Sequence, residues 1–315
     1  MSSASEPSRG LVSGWLGDGV SKWDEFWFST RDPRTLCLIR ILAGAMLFYT
    51  HLVWSLDLMA FLGPDAWISS EVSREIASGQ NRYGWTPLWS ISSPGAIWTF
   101  HLVGLVAIFM FTIGMFTRVT AVLAWMFAVA YCQRLQGTLF GLDQVNTMLT
   151  LYLMFAPCGA VYSVDHWLRR RSGNERVIAT VGANLTTRCI QLHMCVIYFF
   201  GGIHKITGGD WRNGHAMWFS IANHEYQSID LTWMGQGGWP YVLGLLTHLT
   251  VAWEISYAAL VWPRFTRPIV LGIGLMVHLG IALFLGMITF GVAMIIGNLA
   301  FISPQLVKRV SRQEP

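Results

Sequence analysis

Ionisable residues occur in and beside otherwise apolar stretches of the sequence, where a charge is costly to keep. Five of them stand out, four within apolar segments and the last at the end of one: Asp57, His248, Glu254, His278 and Lys205. In a membrane such residues usually face a partner or a cavity. They are therefore the first candidates for chemistry in this chain.

Lys205 allows two interpretations. A lysine at a helix end beside aromatic residues often extends its ammonium group towards water, a role that involves no chemistry. Gly201 and Gly202, however, would let a second helix pack closely against the same segment. In so poorly hydrated a place the charged form of a lysine is disfavoured, and the neutral amine can act as a base.

The other polar candidates also have structural interpretations. Glu254 would fit an ion pair within a helix bundle, and His248 and His278 would fit hydrogen-bonded core histidines. A helix cap and a surface ion pair would explain a further polar cluster: Arg134, Asp143 and Asn146. Since the chain has no HExxH or ExxH spacing, we expect no metal site, and we interpret the five cysteines as small apolar residues.

The elements that carry these residues are expected to be membrane helices. The chain is 53% hydrophobic and only 12% charged, with a mean hydropathy of +0.46, whereas a soluble domain has about 25% charged residues. Many of the sixteen tryptophans lie where apolar runs meet polar segments, as at a bilayer interface. The net charge of +4 is too small to indicate a nucleic-acid partner. The sequence therefore predicts an all-α integral membrane protein.

The order of the apolar stretches predicts the domain organisation. About 20 residues of helix cross the ~30 Å hydrocarbon layer, and eight stretches are close to that length: 36–60, 95–116, 119–136, 144–164, 185–204, 241–262, 268–286 and 288–303. Before them, apolar residues recur at helical spacing and predict a helix that lies in the membrane interface. We expect an N-terminal segment over 1–32, a transmembrane domain over 33–304 and a C-terminal tail over 305–315.

Lysine and arginine give this bundle a direction. With eight spans, fifteen of the 21 basic residues fall on the side of both termini, five fall on the other side, and Arg40 lies inside the first span. Because basic residues concentrate in cytoplasmic loops, both termini are expected in the cytoplasm and the protein in the inner membrane. The long Trp-rich loops 61–94 and 205–240, and any active cavity, would then face outside.

The segment around Lys205 resembles a known family. The run Tyr198-Phe-Phe-Gly-Gly-Ile-His-Lys205, followed by Asp210-Trp211, is similar to the hallmark segment of the vitamin K-dependent γ-carboxylases and their HTTM (horizontally transferred transmembrane domain) relatives. Three further segments agree with this resemblance, which covers most of residues 30–305: Asp32-Pro33-Arg34, Ser163-Val164-Asp165 and Val277-His278-Leu279.

The resemblance implies a lysine base. In the carboxylase, a lysine at this place deprotonates reduced vitamin K, so Lys205 would be the base and His278 a second catalytic residue. Reduced vitamin K or another quinone would be the cofactor. The expected substrate-binding residues are Tyr198, Trp211, His248, Glu254 and Asn146.

Two departures from the carboxylase leave other functions open. Asn146 is followed by Thr147 where the carboxylase has histidine, and the sequence ends at Pro315 without a large lumenal domain. We therefore expect base chemistry on a lipid-soluble molecule rather than carboxylation of a protein. The alternatives are a non-catalytic subunit that binds membrane lipid or a protein partner, and a proton-coupled transporter that uses Glu254 and His248.

Overall fold

The computed structural model describes residues 11–80, 84–173 and 176–311, and its regular elements are helices. The α-helices are α1 (Leu11–Phe28), α2 (Arg34–Trp54), α3 (Leu58–Leu62), α4 (Ser70–Gln80), α5 (Pro94–Ile113), α6 (Thr117–Arg134), α7 (Gly141–Leu153), α8 (Val164–Arg171), α9 (Val181–Thr207), α10 (Gly209–Arg212), α11 (Ala216–Ile221), α12 (Trp239–Leu260), α13 (Arg267–Phe284), α14 (Ile288–Asn298) and α15 (Pro304–Ser311). Short 3₁₀ turns cover Ser55–Asp57, Pro87–Trp89, Gln136–Thr138, Thr232–Gly235 and Leu299–Phe301.

Several of these helices are long and apolar enough to cross a membrane. Among the described residues there are five such segments, namely Arg34–Leu62, α5, α9, α12 and α13. A sixth candidate joins Ile288–Phe301 to Pro304–Val310 across a bend of 112°. The predicted class, an all-helical multi-pass membrane protein, is thus confirmed. Many apolar side chains on these helices are exposed, which suits contact with lipid.

The predicted spans 119–136 and 144–164 are not among the helices that are long and apolar enough to cross a membrane. Helix α6 has 18 residues, but Arg118 and Arg134 near its two ends lower its hydropathy. Helix α7 ends at Leu153, because Pro157 and Gly159 in the next segment do not favour a continuing helix. The stretch predicted as the fourth span is therefore helical only in its first half.

The chain after α6 nevertheless returns to the end of the bundle where α6 began. Asp165 in α8 accepts hydrogen bonds from the backbone N–H groups of Phe116 and Thr117, at 2.9 and 2.8 Å, and from the Thr117 hydroxyl at 2.6 Å. Burial alone would raise the pKa of the Asp165 carboxyl, but these hydrogen bonds outweigh it and lower the pKa. Helix α7 and the segment after it therefore run back along α6.

Arg40 fixes the same end of the bundle. Its buried guanidinium donates to the carbonyls of Phe111 and Thr112 in α5, at 3.0 and 3.1 Å, and to the Tyr162 carbonyl at 2.5 Å. A buried cation is tolerated when it is hydrogen-bonded, as Arg40 is through both terminal nitrogens. The arginine inside the predicted first span is thus a structural clamp between α2, α5 and the segment that precedes α8.

The N-terminal segment forms a helix, as predicted, although its place at a membrane interface stays a prediction. Helix α1 contacts α9, where the Asn184 side chain donates to the carbonyls of Phe26 and Trp27 at 2.7 and 3.0 Å. Val20 and Trp23 are exposed. The first ten residues of the predicted N-terminal segment lie outside the described residues.

Candidate functional site

Lys205 and Glu254 form an ion pair between α9 and α12. The Lys205 Nζ atom lies 2.8 Å from Oε1 and 2.7 Å from Oε2 of Glu254. The side chain of Lys205 is 24% exposed and that of Glu254 12% exposed. Of the two interpretations of Lys205, the extended lysine in water does not fit, because its ammonium group is turned towards a carboxylate on a neighbouring helix.

The two glycines before Lys205 explain how the helices come close enough. A Cβ atom on Gly202 would lie only 2.7 Å from Ile255 Cγ1 and 3.1 Å from Glu254 Cβ, so a larger residue would push α12 away. On Gly201 it would lie 3.8 Å from both Lys205 Nζ and Glu254 Oε2. Small residues that permit such an approach are common at membrane helix interfaces.

An aromatic ring covers the lysine. The Lys205 Nζ atom lies 5.2 Å from the ring centroid of Trp211 in α10, within range of a cation–π interaction. Only Gly208 separates the end of α9 from the start of α10, so the chain turns back over the lysine. Trp211 is thus brought to Lys205, where it was predicted to contribute to a substrate site.

A chain of hydrogen bonds leads through the core beside the ion pair and joins α9, α12, α13 and α14. Asn298 Nδ2 donates to the Met294 carbonyl at 2.8 Å, which fixes the orientation of the amide, since a carbonyl can only accept. Tyr257 then donates to Asn298 Oδ1 at 2.6 Å, and Asn298 Nδ2 also donates to the Tyr198 hydroxyl at 2.7 Å. Since the Tyr198 hydroxyl accepts from Asn298, it donates its own proton to His278 Nε2, at 2.8 Å.

The direction of the Tyr198–His278 hydrogen bond determines which ring nitrogen of His278 carries the proton. Because Nε2 accepts from Tyr198, the neutral imidazole carries its proton on Nδ1. His278 is only 4% exposed, and its Nδ1 has no hydrogen-bond partner within the described part of the chain. A buried N–H group without a partner is unfavourable by about 1–3 kcal/mol. The polar chain therefore ends in an unused hydrogen-bond donor.

The polar chain and the ion pair are neighbours. Tyr198 and Lys205 lie seven residues apart on α9 and Glu254 and Tyr257 three apart on α12, spacings that place each pair on one helix face. The rings of Tyr198 and Tyr257 are 4.2 Å apart between centroids. One continuous wall thus holds the Lys205–Glu254 ion pair and the unused hydrogen-bond donor of His278.

Other predicted site residues lie elsewhere or make no bond to this wall. His248 is on an exposed part of α12, with Nε2 3.3 Å from where a Cβ on Gly214 would be. Asn146 is 1% exposed on α7, and both side-chain amide atoms lack a partner among the described residues. Asp57 is exposed.

The predicted surface pair between Arg134 and Asp143 is wrong. Arg134 is 1% exposed and donates to the Ile68 carbonyl at 2.9 Å. Tyr131 and Leu135, near Arg134 in the sequence, belong to a buried apolar cluster, which holds the end of α6 inside the protein. Asp143 accepts from the Phe140 backbone N–H at 2.9 Å, so the predicted helix cap is confirmed.

Sequence reasoning missed a second polar chain in α2, α5 and α6. Ser55 Oγ donates to the His51 carbonyl at 3.3 Å and so accepts from His101 Nε2 at 2.8 Å. His101 Nδ1 then accepts from the Tyr131 hydroxyl at 2.5 Å. Separately, His51 Nδ1 donates to the Leu47 carbonyl at 2.9 Å, and its buried Nε2 has no partner in the described structure. A histidine in an apolar stretch was the signal for His278 and would also have found His101.

No group of three or more His, Cys, Asp or Glu side chains in the described ranges is arranged to hold a metal ion. Comparison with known protein families gives a match to the HTTM domain, whose family model covers residues 28–305. Neither the curated proteins nor the solved structures contain a significant match to the chain.

Proposed function

The chain belongs to the HTTM domain family, and from that premise we propose that it is a membrane enzyme whose Lys205 acts as a base on a lipid-soluble hydroxyl compound. The observation that carries this proposal is the Lys205–Glu254 ion pair beside the unused donor of His278. Perturbed or paired ionisable groups in a poorly hydrated place are frequent in active sites. A reduced quinone, such as reduced vitamin K, is the ligand class that we propose.

The ion pair provides both partners for a proton transfer. In a poorly hydrated site two opposite charges are expensive to keep, so passage of a proton from Lys205 Nζ to Glu254 leaves two neutral groups. The neutral amine can then accept the proton of a ligand hydroxyl. At the end of this exchange Glu254 holds one proton and the Lys205 ammonium group lies beside the ligand oxygen, where its charge is stabilising.

The wall around the pair suits a ring with oxygen atoms. His278 Nδ1–H would donate to a ligand oxygen, and this bond would satisfy the buried donor. Trp211 beside Lys205 and Tyr198 beside His278 offer aromatic faces. When bound, a reduced quinone would supply the acidic hydroxyl and, with oxygen, the oxidation chemistry.

We further propose that the chain crosses the inner membrane eight times, with both termini in the cytoplasm. The return of the chain from α6 to Asp165 supports a second, antiparallel crossing by α7 and residues 154–163. A membrane-impermeant thiol reagent should then label Thr138→Cys from outside and Ser172→Cys only after permeabilisation. Equal labelling of both from one side would contradict eight crossings.

The function is tested with purified protein and a reduced quinone in the presence of oxygen. Lys205→Arg is the informative variant, because arginine can keep the ion pair with Glu254 but cannot act as a base. We expect wild-type protein to oxidise the quinol and Lys205→Arg to bind it without turnover. Full activity in Lys205→Arg would overturn the proposal.

Two other outcomes would indicate the alternative functions. Quinone or lipid retained through purification but never turned over by the wild type would indicate a non-catalytic binding subunit. Proton flux into liposomes without quinol, lost in Glu254→Gln, would indicate a transporter. Mass spectrometry of small molecules retained after gentle purification identifies the bound compound, and the turnover assay with that compound then separates a binding subunit from an enzyme.

A further inference from the structure

Two arginines contact Trp262 at the end of the bundle that also holds Arg40, and a third lies near enough for their charges to act on it. The Arg188 Cζ atom lies 4.1 Å from the ring centroid of Phe26 and 5.9 Å from that of Trp262. Arg267 donates to the Trp262 carbonyl at 2.5 Å and, through Nε, to the Val261 carbonyl at 3.0 Å. The third is Arg31, whose backbone pairs with Thr180 just before α9.

The charges of this cluster are not balanced. No ion pair in the described ranges joins any of the three guanidinium groups to a carboxylate, and the nearby Asp32 pairs with Arg34 instead. Burial lowers the pKa of Arg31 to about 10, and the charges of Arg188 and Arg267 contribute to the same shift. Arg31 Nε is also buried without a hydrogen-bond partner. A bound anion would offset the repulsion between these three positive charges.

We propose that the cluster of Arg31, Arg188 and Arg267 binds the phosphate group of an anionic phospholipid. Guanidinium groups match phosphate oxygens in shape and charge. The cluster lies at the ends of α9 and α13, two candidate membrane spans, and Phe265 and Ile269 beside Arg267 are 84% and 57% exposed. That apolar surface would contact the acyl chains, so a lipid fits better than free phosphate. The proposal is independent of the activity proposed for Lys205.

The experiment measures thermal unfolding of the full chain in neutral detergent with added phosphatidylglycerol, phosphatidylcholine or inorganic phosphate. We expect phosphatidylglycerol alone to raise the Tm of the wild type, because a ligand that binds only the folded state stabilises it. Arg31→Gln should raise the Tm without lipid, since one repelling charge is removed, and should weaken phosphatidylglycerol binding about tenfold. These two opposite effects are not expected from a general loss of structure.

Two further variants complete the design. Arg264→Gln removes one exposed positive charge from the same end of the protein and should respond to phosphatidylglycerol as the wild type does. Arg188→Lys keeps its charge but loses the planar fork and should bind several-fold more weakly. An unchanged lipid response in both Arg31→Gln and Arg188→Lys would overturn the proposal. A Tm increase with inorganic phosphate equal to that with phosphatidylglycerol would overturn the assignment to a lipid.

Discussion

Two groups of helices each bury a histidine that is hydrogen-bonded to a tyrosine: the half of the bundle formed by α2, α5 and α6, and the half formed by α9, α12 and α13. The two halves differ in what surrounds that bond. In the α2–α5–α6 half, both ring nitrogens of His101 are satisfied, by Tyr131 and Ser55. In the α9–α12–α13 half, Tyr198 satisfies only one nitrogen of His278. Among the residues that the structure describes, this second half alone places an ion pair, Lys205–Glu254, beside its polar chain.

This difference separates a structural polar chain from a candidate site. A fully paired chain in an apolar core gives stability and a unique packing but has no group left for a ligand. The α2–α5–α6 half also leaves His51 Nε2 unpaired, but that atom is a neutral acceptor among the rings of Trp54 and Tyr131. An unused donor next to a paired lysine is the stronger indication of chemistry.

The largest expected effect is that of Lys205→Ala on quinol oxidation. If Lys205 is the proposed base, its loss should reduce turnover about 10³-fold, within the usual contribution of a general base. Tyr131→Phe removes the proton that His101 accepts in the other half and should leave turnover within about twofold of the wild type, because we place no catalytic group there. Equal losses in the two variants, measured per folded molecule, would remove the distinction between the halves.

Replacement of His278 by phenylalanine should mainly lower turnover, whereas the same replacement of His101 should mainly lower stability. His278→Phe removes a donor to the ligand and should lower turnover about 10²-fold, the usual effect of losing one such donor. His101→Phe leaves the Tyr131 hydroxyl without its acceptor, removes the donor to Ser55 Oγ, and should instead lower the free energy of unfolding by about 2 kcal/mol. Turnover and denaturant unfolding, both measured in detergent, distinguish the two patterns. A large loss of activity in folded His101→Phe would show that the first half also does chemistry.

Glu254→Gln should change both the stability and the activity of the half that holds the ion pair. The variant leaves the partly buried Lys205 charge with a neutral partner, which should lower the free energy of unfolding by about 2 kcal/mol. Turnover should fall about tenfold, because the carboxylate no longer takes up a proton. The double variant Lys205→Met, Glu254→Met should be less destabilised than the sum of the two single Met variants, because the buried charges are removed together. Additive losses would mean that the two side chains do not interact.

The sequence could predict the charged residues of the site better than its neutral ones. Lys205, Glu254 and His278 attract attention because a charge in an apolar segment needs an explanation, and the structure brings all three to one wall. Asn298 was missed because a neutral amide near the end of an apolar stretch gives no such signal. His248 could have been placed away from Glu254, since six residues correspond to a turn of about 120° around a helix.

Composition was enough to predict the helical class, but the number of spans also depends on local backbone preferences and tertiary contacts. Apolar length alone suggested a continuous helix over 144–164, and the break after Leu153 depends on local backbone preferences at Pro157 and Gly159 that hydropathy does not contain. The return of the chain to α6 is likewise a tertiary contact, made by Asp165 with Phe116 and Thr117, and no local pattern reports it.

The smallest expected effect, that of Asp165→Asn, tests whether the α6–α7 hairpin is only a scaffold. Because the pKa of this carboxyl is lowered in the fold, its contribution is present above the unfolded value of about 3.9 and is lost as pH falls through the folded value. Since Asp165 is partly exposed and screened by solvent, we expect Asp165→Asn to lower the free energy of unfolding at pH 7 by only about 1 kcal/mol. The difference from the wild type should shrink below about pH 4, and turnover at pH 7 should not change. A loss of turnover at unchanged stability would instead connect the hairpin to the site around Lys205.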